Sequence, residues 1–242
     1  PEHSLIVQSY QPREMNSGLL NADGFGVGWY HAQRDTNPFT YKSVLPIWND
    51  VNLPSLSRYA ESGCILAYVR SATLGQAVDL SNCQPFDKQK LLCVHNGRVE
   101  NFRQTIYRPI RDRLSDFAYQ AIKGSTDSEH IFALLLDEVQ ANPSTSLEQA
   151  LSATLNHLDT LAESCQTRAS ANLLISDGKR LIASRFASDR MSPSLYWLRD
   201  DSTFPAAVII ASEPLFTGDW HSIPEHSIVS VGEDLEIQID SI

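Results

Sequence analysis

The pattern of hydrophobic and polar positions divides the chain into three parts. Short apolar runs typical of strands come first, among them residues 64–69 and 91–94. Apolar residues at helical spacing follow from Glu100, and Pro109 is expected to kink the helix or to restart it. Residues 146–164 predict a helix with one apolar stripe. Strand-like runs return in the last third. Strands, then helices, then strands predict an α+β fold, in which central sheets pack together with helices outside.

The apolar run 91–94 leads into a polar His95-Asn96-Gly97. Four consecutive apolar residues predict a strand covered on both faces, and Asn-Gly most readily takes positive φ, so we expect a turn after the strand. The Gly97 N–H and the Asn96 amide would then be fixed donors, as stabilisation of a tetrahedral oxyanion requires. A plain hairpin turn is the simpler interpretation of the dipeptide alone.

A second polar strand end follows residues 64–69, at Arg70-Ser71-Ala72-Thr73. A guanidinium at a strand end, beside a Thr hydroxyl, is well placed to bind a carboxylate bidentately. The alternative for any lone Arg is a surface salt bridge.

Residues 125–132 place hydroxyl and acidic side chains just ahead of an apolar helix, so Thr126 or Asp127 is the expected N-cap. A cap uses one side chain, and we expect a second carboxylate to remain free for a cation.

Glycines alternate with apolar residues at Gly24, Gly26 and Gly28. A dinucleotide loop would need its third glycine at Trp29, so nucleotide binding is disfavoured. Glycine at every second strand position instead allows another backbone or a small ligand to approach closely.

Composition limits the classes of partner. With 242 residues and 42% hydrophobic content we favour one domain over 1–242, and a net charge of −10 argues against nucleic acid or an anionic membrane surface. No apolar run reaches the length of a membrane span and no signal segment is recognisable, so we expect a cytoplasmic protein. Four cysteines without paired short spacing are expected to be reduced, and seven histidines without ligand spacing predict no metal.

Taken together, the motifs resemble those of the class II glutamine amidotransferases of the N-terminal nucleophile hydrolase superfamily, nearly end to end. In that family one strand ends at Arg-x-Ala-Thr, a second carries His-Asn-Gly followed by Glu-Asn, and Asp-x-Glu opens a helix. The corresponding residues here are Arg70-Ser71-Ala72-Thr73, His95-Asn96-Gly97 with Glu100-Asn101, and Asp127-Ser128-Glu129. The resemblance implies a four-layer αββα sandwich, a small-molecule γ-glutamyl substrate, no cofactor, and a possible homodimer.

The resemblance also implies residue roles. Arg70 and Thr73 would hold the α-carboxylate of a glutamyl group, Asp127 its α-ammonium, and Asn96 with the Gly97 N–H the oxyanion. Further residues are expected at the substrate or behind it: His95 among the substrate-binding residues, and Asn21, Asp23 and Gly26 as their support.

Within the family, the chain is most similar to the branch that hydrolyses γ-glutamyl amides, in particular the ergothioneine-pathway amidase. This similarity lies in the stretches 1–5, 21–28, 45–48, 69–73 and 211–214. The expected activity is hydrolysis of γ-glutamyl-hercynylcysteine sulfoxide by a free-standing enzyme. A glutamine amidotransferase, a glutathione-type amidase and a non-catalytic glutamyl-binding protein are the alternatives. The leaving group is expected at the loops 11–18, 76–84 and 212–221.

The family nucleophile is an N-terminal cysteine whose own α-amine moves the proton. The chain starts at Pro1, so we expect a Cys-led strand ahead of it, and whether the protein has that strand stays open. Cys93, two residues from His95, is a conceivable internal nucleophile. It lies in an apolar run, where a buried cysteine behaves as an inert hydrophobe.

Overall fold

Strands and helices follow one another along the chain as the hydrophobic pattern predicts. The computed structural model describes residues 1–15, 18–31, 33–73, 75–189 and 192–242. Its α-helices are Leu5–Tyr10 (α1), Leu53–Tyr59 (α2), Tyr107–Arg113 (α3), Asp116–Ala121 (α4), Asp127–Ala141 (α5) and Leu147–Ser164 (α6). Its strands are Phe25–His31 (β1), Asp35–Ser43 (β2), Ile65–Val69 (β3), Phe86–Lys88 (β4), Leu91–Val99 (β5), Ala169–Ser176 (β6), Leu181–Arg185 (β7), Tyr196–Asp201 (β8), Phe204–Ala211 (β9), His221–Ser222 (β10), Ser227–Val231 (β11) and Ile237–Ser241 (β12).

The strands form one large sheet and two small ones. The six-stranded sheet has the order β12-β11-β7-β6-β5-β4, and the three-stranded sheets have the orders β2-β1-β3 and β10-β8-β9. Helices α5 and α6 cover one face of the large sheet, where Cys93, Leu173 and Ile175 join their leucines in the main core. The small sheets cover the opposite face through two further clusters. A helical layer therefore lies on a pair of packed sheet layers, and the predicted α+β architecture is confirmed.

The glycines of β1 allow close packing between these sheets. A Cβ on Gly26 would lie 2.1 Å from the Gln84 carbonyl oxygen, and one on Gly28 would lie 2.8 Å from Leu92. The expectation that missing side chains let another backbone approach is thus confirmed, and the neighbour is the segment that leads into β4.

The helical region after Glu100 differs from the prediction. Of the two expectations for Pro109, the restart agrees with the structure and the kink does not. Pro109 is the third residue of α3, where its missing N–H would have no helical partner anyway. The break falls after Arg113, and the Ser115 side chain caps α4. The long α6 follows the prediction, with a capping box formed by Ser146 and Gln149.

Candidate active site

The turn expected at Asn96-Gly97 is absent, and this prediction was wrong. Strand β5 continues to Val99, pairing Asn96 with Asn172 and Gly97 with Ala171 of β6, and neither residue has a positive φ. The long partner strand supplies ladder hydrogen bonds along the whole of β5, and these outweigh the local preference of Asn-Gly.

The Gly97 N–H nevertheless lies on an edge of β5 that no strand covers. The Arg98 N–H donates to Ser170 on the β6 side, whereas the His95 N–H donates to Gln84 and the Val99 N–H to Asp127 on the other side. Because N–H directions alternate along a strand, the Gly97 N–H points with those of His95 and Val99, away from β6. Strand β4 pairs only with residues 91–93, so this edge of β5 is uncovered by a strand at Gly97. The Gly97 N–H is therefore available as a hydrogen-bond donor, as predicted for a turn, although Gly97 lies within a strand.

Asn96 and Arg70 face the same space between two sheets. Leu92 and Val94 of β5 pack against Leu66 of β3 in one cluster. Side chains two residues apart share a face, so Asn96 extends the row of Leu92 and Val94, and Arg70 extends that of Leu66.

Two contacts show that β3 and β5 approach the site in the same direction. The Tyr30 hydroxyl donates to the carbonyl of Lys90 at the start of β5, and Tyr30 lies beside the first residue of β3. Further along, Gly26 of β1 pairs with Tyr68 of β3 and packs against Gln84, which is hydrogen-bonded to His95 of β5.

The Asn96 side chain is exposed and has no hydrogen-bond partner among the described residues.

Arg70 is a buried cation surrounded by neutral acceptors. Its side chain is only 3% exposed. The guanidinium donates to the Asp23 carbonyl at 3.2 Å, to Gln76 Oε1 at 3.4 Å and to the Ala77 carbonyl at 3.3 Å. No carboxylate of the described residues pairs with it. A buried charge without a counter-ion is costly, so this position favours an anionic ligand.

The loop after Arg70 shapes this cation site. The Asp23 carboxylate accepts the Ala72 N–H at 2.8 Å, so it braces the loop and not the guanidinium. Thr73 is exposed, and its carbonyl accepts the Gln76 N–H at 2.9 Å. Residues of the loop 76–84, expected at the leaving group, thus contact Arg70. Of the loop 11–18, residues 16 and 17 lie outside the described part of the chain.

The start of α5 carries a capping residue, Thr126, and a carboxylate, Asp127, that bonds to backbone N–H groups. Thr126 caps α5 by accepting the Glu129 N–H, as predicted. Asp127, the first residue of α5, accepts the Val99 N–H at 2.7 Å and the Ser128 N–H at 2.9 Å. The free carboxylate that we expected is therefore partly occupied, and Glu129 is occupied as well, by two backbone N–H groups. A carboxylate has about four acceptor positions, so Asp127 keeps capacity for a ligand cation.

His95 does not have a free ring nitrogen for a substrate. Nδ1 lies 2.8 Å from the Ser128 hydroxyl and Nε2 lies 3.0 Å from the Ser170 carbonyl. Burial lowers the pKa of His95, with Asp127 and the Ser170 carbonyl opposing the shift, so the ring is neutral and Nε2–H donates to the carbonyl. Both ring nitrogens thus hold β5, β6 and α5 together, and the expected substrate contact of His95 stays a prediction.

Tyr68, which the sequence analysis did not single out, lies near the two charged residues of the candidate site. Burial raises the pKa of Tyr68 to about 12, opposed by Arg70 and reinforced by Asp127, so its phenol lies within electrostatic reach of both charges. The available signal was its spacing, since Tyr68 precedes Arg70 by two residues and shares its face.

Asn21, Asp23 and Gly26, which were expected to support the substrate-binding residues, each contact backbone atoms of neighbouring segments. The Asn21 amide donates to the Gln8 carbonyl at 3.2 Å, which ties the start of β1 to α1. Asp23 holds Arg70 and Ala72 as described, and Gly26 makes room for Gln84. Cys93 is fully buried in the main core, and burial raises its thiol pKa far above the ordinary value, so it lacks the thiolate character of a nucleophile.

Among the described residues, His, Cys, Asp and Glu side chains form no group of three that could hold a metal ion. In the same part of the chain no helix has the length and apolar character needed to cross a membrane.

Comparison with known proteins identifies the family. The family model described as "Glutamine amidotransferases class-II" matches residues 2–201. The chain is 32% identical to the γ-glutamyl-hercynylcysteine sulfoxide hydrolase of Mycolicibacterium smegmatis, over 96% of this chain and 87% of the relative. It is 29% identical to the "probable glutamine amidotransferase DUG3" of Saccharomyces cerevisiae, over 96% of this chain and 76% of the relative.

Solved structures agree with this assignment. A glutamine aminotransferase class-II domain protein from Silicibacter pomeroyi superposes with a TM-score of 0.73 at 29% identity, over 90% of this chain and 91% of the other. The glutamine phosphoribosylpyrophosphate amidotransferase of B. subtilis has the same fold, with a TM-score of 0.64 at 16% identity over 91% of this chain and 43% of the other. The expected N-terminal nucleophile hydrolase fold is thereby confirmed. The chain belongs to the class II glutamine amidotransferases, enzymes that act on γ-glutamyl amides.

Proposed function

We propose that this protein hydrolyses the γ-glutamyl amide bond of a small molecule and releases glutamate. The observation that carries the proposal is the buried Arg70 guanidinium, which is held by three neutral acceptors and by no carboxylate of the described residues. A γ-glutamyl group brings an α-carboxylate that fits this demand, and a guanidinium binds a carboxylate bidentately.

The other roles in the proposal follow from the same geometry. Thr73 adds a hydroxyl beside the bound carboxylate, and Asp127 accepts from the α-ammonium with its remaining acceptor positions. The Asn96 amide and the outward Gly97 N–H donate to the oxygen that becomes negative during acyl transfer. His95 keeps β5, the strand that carries both donors, in place against α5.

The nucleophile in this proposal is an N-terminal cysteine ahead of Pro1, as in the family. Its thiolate attacks the γ-carbonyl, the tetrahedral oxyanion collapses, and the leaving nitrogen takes a proton from the cysteine's α-ammonium. Water then attacks the thioester, the α-amine takes its proton, and glutamate is released with the thiol restored. Support comes from the inert character of Cys93, whose thiol is buried and carries a raised pKa.

The first candidate substrate is γ-glutamyl-hercynylcysteine sulfoxide. Its support is the 32% identity to the mycobacterial hydrolases of that name, over 96% of this chain. Glutamine is the second candidate, because the yeast relative is named a probable glutamine amidotransferase.

Steady-state assay of the full-length protein tests the proposal, with γ-glutamyl-hercynylcysteine sulfoxide, glutathione and glutamine as substrates and released glutamate as the readout. We expect the highest kcat/KM for the sulfoxide. The Cys93→Ser variant, as a control, should retain the activity. Absence of glutamate release from all three substrates, with glutamate still bound, would make the protein a glutamyl-ligand-binding member of the family.

A further inference from the structure

The loop ahead of α5 is held by three consecutive backbone N–H groups. Those of Lys123 and Gly124 donate to the Glu129 carboxylate, at 2.8 and 2.6 Å. The next one, from Ser125, donates to Asn82 Oδ1 at 2.9 Å. Thr126 and Asp127 follow immediately, so the position of the Asp127 carboxylate depends on the atoms that hold this loop.

The other end of the Asn82 amide reaches the Arg70 side of the site. Asn82 Nδ2 donates to the Ala77 carbonyl at 3.0 Å, and the same carbonyl accepts Arg70 Nη2 at 3.3 Å. The reversed amide would set oxygen against oxygen at Ala77 and N–H against N–H at Ser125, so this orientation is the one that satisfies both neighbours. Asn82 therefore links the loop that holds Arg70 to the loop that presents Asp127.

This link is buried and tightly fitted. Asn82 is 3% exposed, and its own N–H donates to the Asp79 carbonyl at 3.0 Å. A Cβ on Gly124 would lie 2.4 Å from Asn82 Oδ1, so the loop comes this close only because residue 124 is a glycine. Because the segments are packed so closely, removal of the Asn82 side chain should shift both the loop that contains Ala77 and the loop that contains Ser125.

We propose that Asn82 is a positioning residue that sets the separation between the Arg70 guanidinium and the Asp127 carboxylate. By this means it makes the site selective for ligands that carry a carboxylate and an ammonium on one carbon atom. The inference rests on the proposed function, in which Arg70 and Asp127 hold those two groups. A ligand whose two charges are one carbon apart gains both contacts at once only if the protein groups are held at the matching separation.

Binding of three small ligands to the wild-type chain and to Asn82→Ala tests the inference by isothermal titration calorimetry. L-Glutamate carries both α-groups, glutarate lacks the ammonium, and 4-aminobutyrate lacks the α-carboxylate. Wild type should bind L-glutamate more tightly than either analogue. In Asn82→Ala the Kd of L-glutamate should rise about tenfold or more, and the Kd of each analogue by about twofold or less, because the coupling between the two contacts is lost.

A second variant, Asn82→Asp, keeps an acceptor for Ser125 and removes the donor to Ala77. It brings a carboxylate next to the carbonyl that Arg70 contacts, so it should weaken L-glutamate and glutarate, which need Arg70, and leave 4-aminobutyrate unchanged. The control is Asn142→Ala, whose amide oxygen holds only an exposed turn at Ser144, and it should leave all three affinities unchanged.

Equal weakening of all three ligands in Asn82→Ala would reduce Asn82 to a general support of the fold, and unchanged affinities would remove its role; either result overturns the inference. If wild type binds L-glutamate selectively but Asn82→Ala keeps that selectivity, this inference fails and the proposed function stands. If wild type binds none of the three ligands, both fail. Circular dichroism of each variant shows that it is folded.

Discussion

The two charged sides of the site differ in how well the protein itself satisfies them. At the start of α5, Asp127 and Glu129 each accept two backbone N–H groups, and Thr126 caps the helix. On the opposite side, the buried Arg70 guanidinium meets only carbonyl and amide oxygens at 3.2–3.4 Å. Hydrogen bonds between charged partners are shorter and about twice as strong as neutral ones. The acidic side is therefore largely satisfied by backbone N–H groups, whereas no carboxylate of the described residues pairs with the guanidinium on the basic side.

This difference assigns separate tasks to the two sides. Asp127 supports the fold and also belongs to the candidate site, so changes there should affect both stability and ligand binding. Arg70 is the side on which a ligand gains most, because a carboxylate relieves an uncompensated buried charge. The predictions below test the two sides against each other, beginning with the largest effect.

His130, a residue of α5, should make the free energy of unfolding depend on pH. His130 is fully buried, its Nδ1–H donates to the Thr126 carbonyl, and burial lowers its pKa from 6.5 to about 4, with Asp127 opposing and Arg111 adding to the shift. Between these values the unfolded chain binds a proton that the folded chain does not, so the free energy of unfolding falls as pH falls from about 6.5 to about 4. The loss should be on the order of 3 kcal/mol.

Urea unfolding at several pH values measures this loss. His130→Phe should reduce this dependence and leave a contribution in the same direction from His95, because burial also lowers the pKa of His95. The control is the exposed His221→Gln. An unchanged slope in His130→Phe would contradict the assignment.

Substitution of Asn96 tests the space between the two sides, where the proposed reaction would take place. If its amide donates to the developing oxyanion, Asn96→Ala in the full-length protein should lower kcat by about a hundredfold, roughly 2.7 kcal/mol, with KM nearly unchanged. Single-turnover acylation is the measurement that isolates the chemical step. Asn156→Ala, at an exposed position of α6, is the control, and wild-type acylation in Asn96→Ala would sink the oxyanion role.

Arg70→Lys tests the unsatisfied side. Lysine keeps the charge but makes no parallel pair of hydrogen bonds to a carboxylate, so substrate binding should weaken by about 2 kcal/mol, roughly thirtyfold in KM. The exposed Arg103→Lys is the matched control. Unchanged kinetics in Arg70→Lys would exclude this residue from the site.

Asp127→Asn tests the satisfied side and should have the smallest effect on binding. The amide oxygen still accepts one backbone N–H, but the attraction for the α-ammonium is lost, so KM should rise about tenfold, roughly 1.4 kcal/mol, with little change in kcat. Asp116→Asn changes the first residue of α4 in the same way and serves as control. If Asp127→Asn lowered only kcat, this would contradict the proposal that Asp127 binds the α-ammonium equally well in the ground state and in the transition state.

The fold class and the positions of the main helices and strands could be predicted from the sequence, because these depend on local patterns. Alternation, helical spacing and capping motifs located β3, β5, α5 and α6 with useful accuracy. The turn at Asn96-Gly97 was wrong because strand pairing over the full length of β5 overrode a two-residue preference. Arg70 was found from its place after an apolar strand, but its burial was not foreseeable from that place.

Side-chain partners across the fold were beyond local patterns. The two bonds of the His95 ring come from Ser128 and Ser170, which lie far along the chain and meet it only through packing. Asn82 ends a short 3₁₀ helix, Leu80–Asn82, that carries no recognisable motif, and its bonds to Ala77 and Ser125 become visible only in the folded chain. Candidate site residues could thus be named from their type and place, and their roles stay predictions, whereas their hydrogen-bond partners could not be found from the sequence.

A crystal structure of the protein with L-glutamate would test the central claim most directly. We predict that the α-carboxylate lies on the Arg70 guanidinium with two hydrogen bonds of about 2.7–2.9 Å, with the α-ammonium at Asp127 and the γ-carboxylate toward Asn96 and the Gly97 N–H. Glutamate bound with its γ-carboxylate on Arg70, or bound away from Arg70 altogether, would contradict the account.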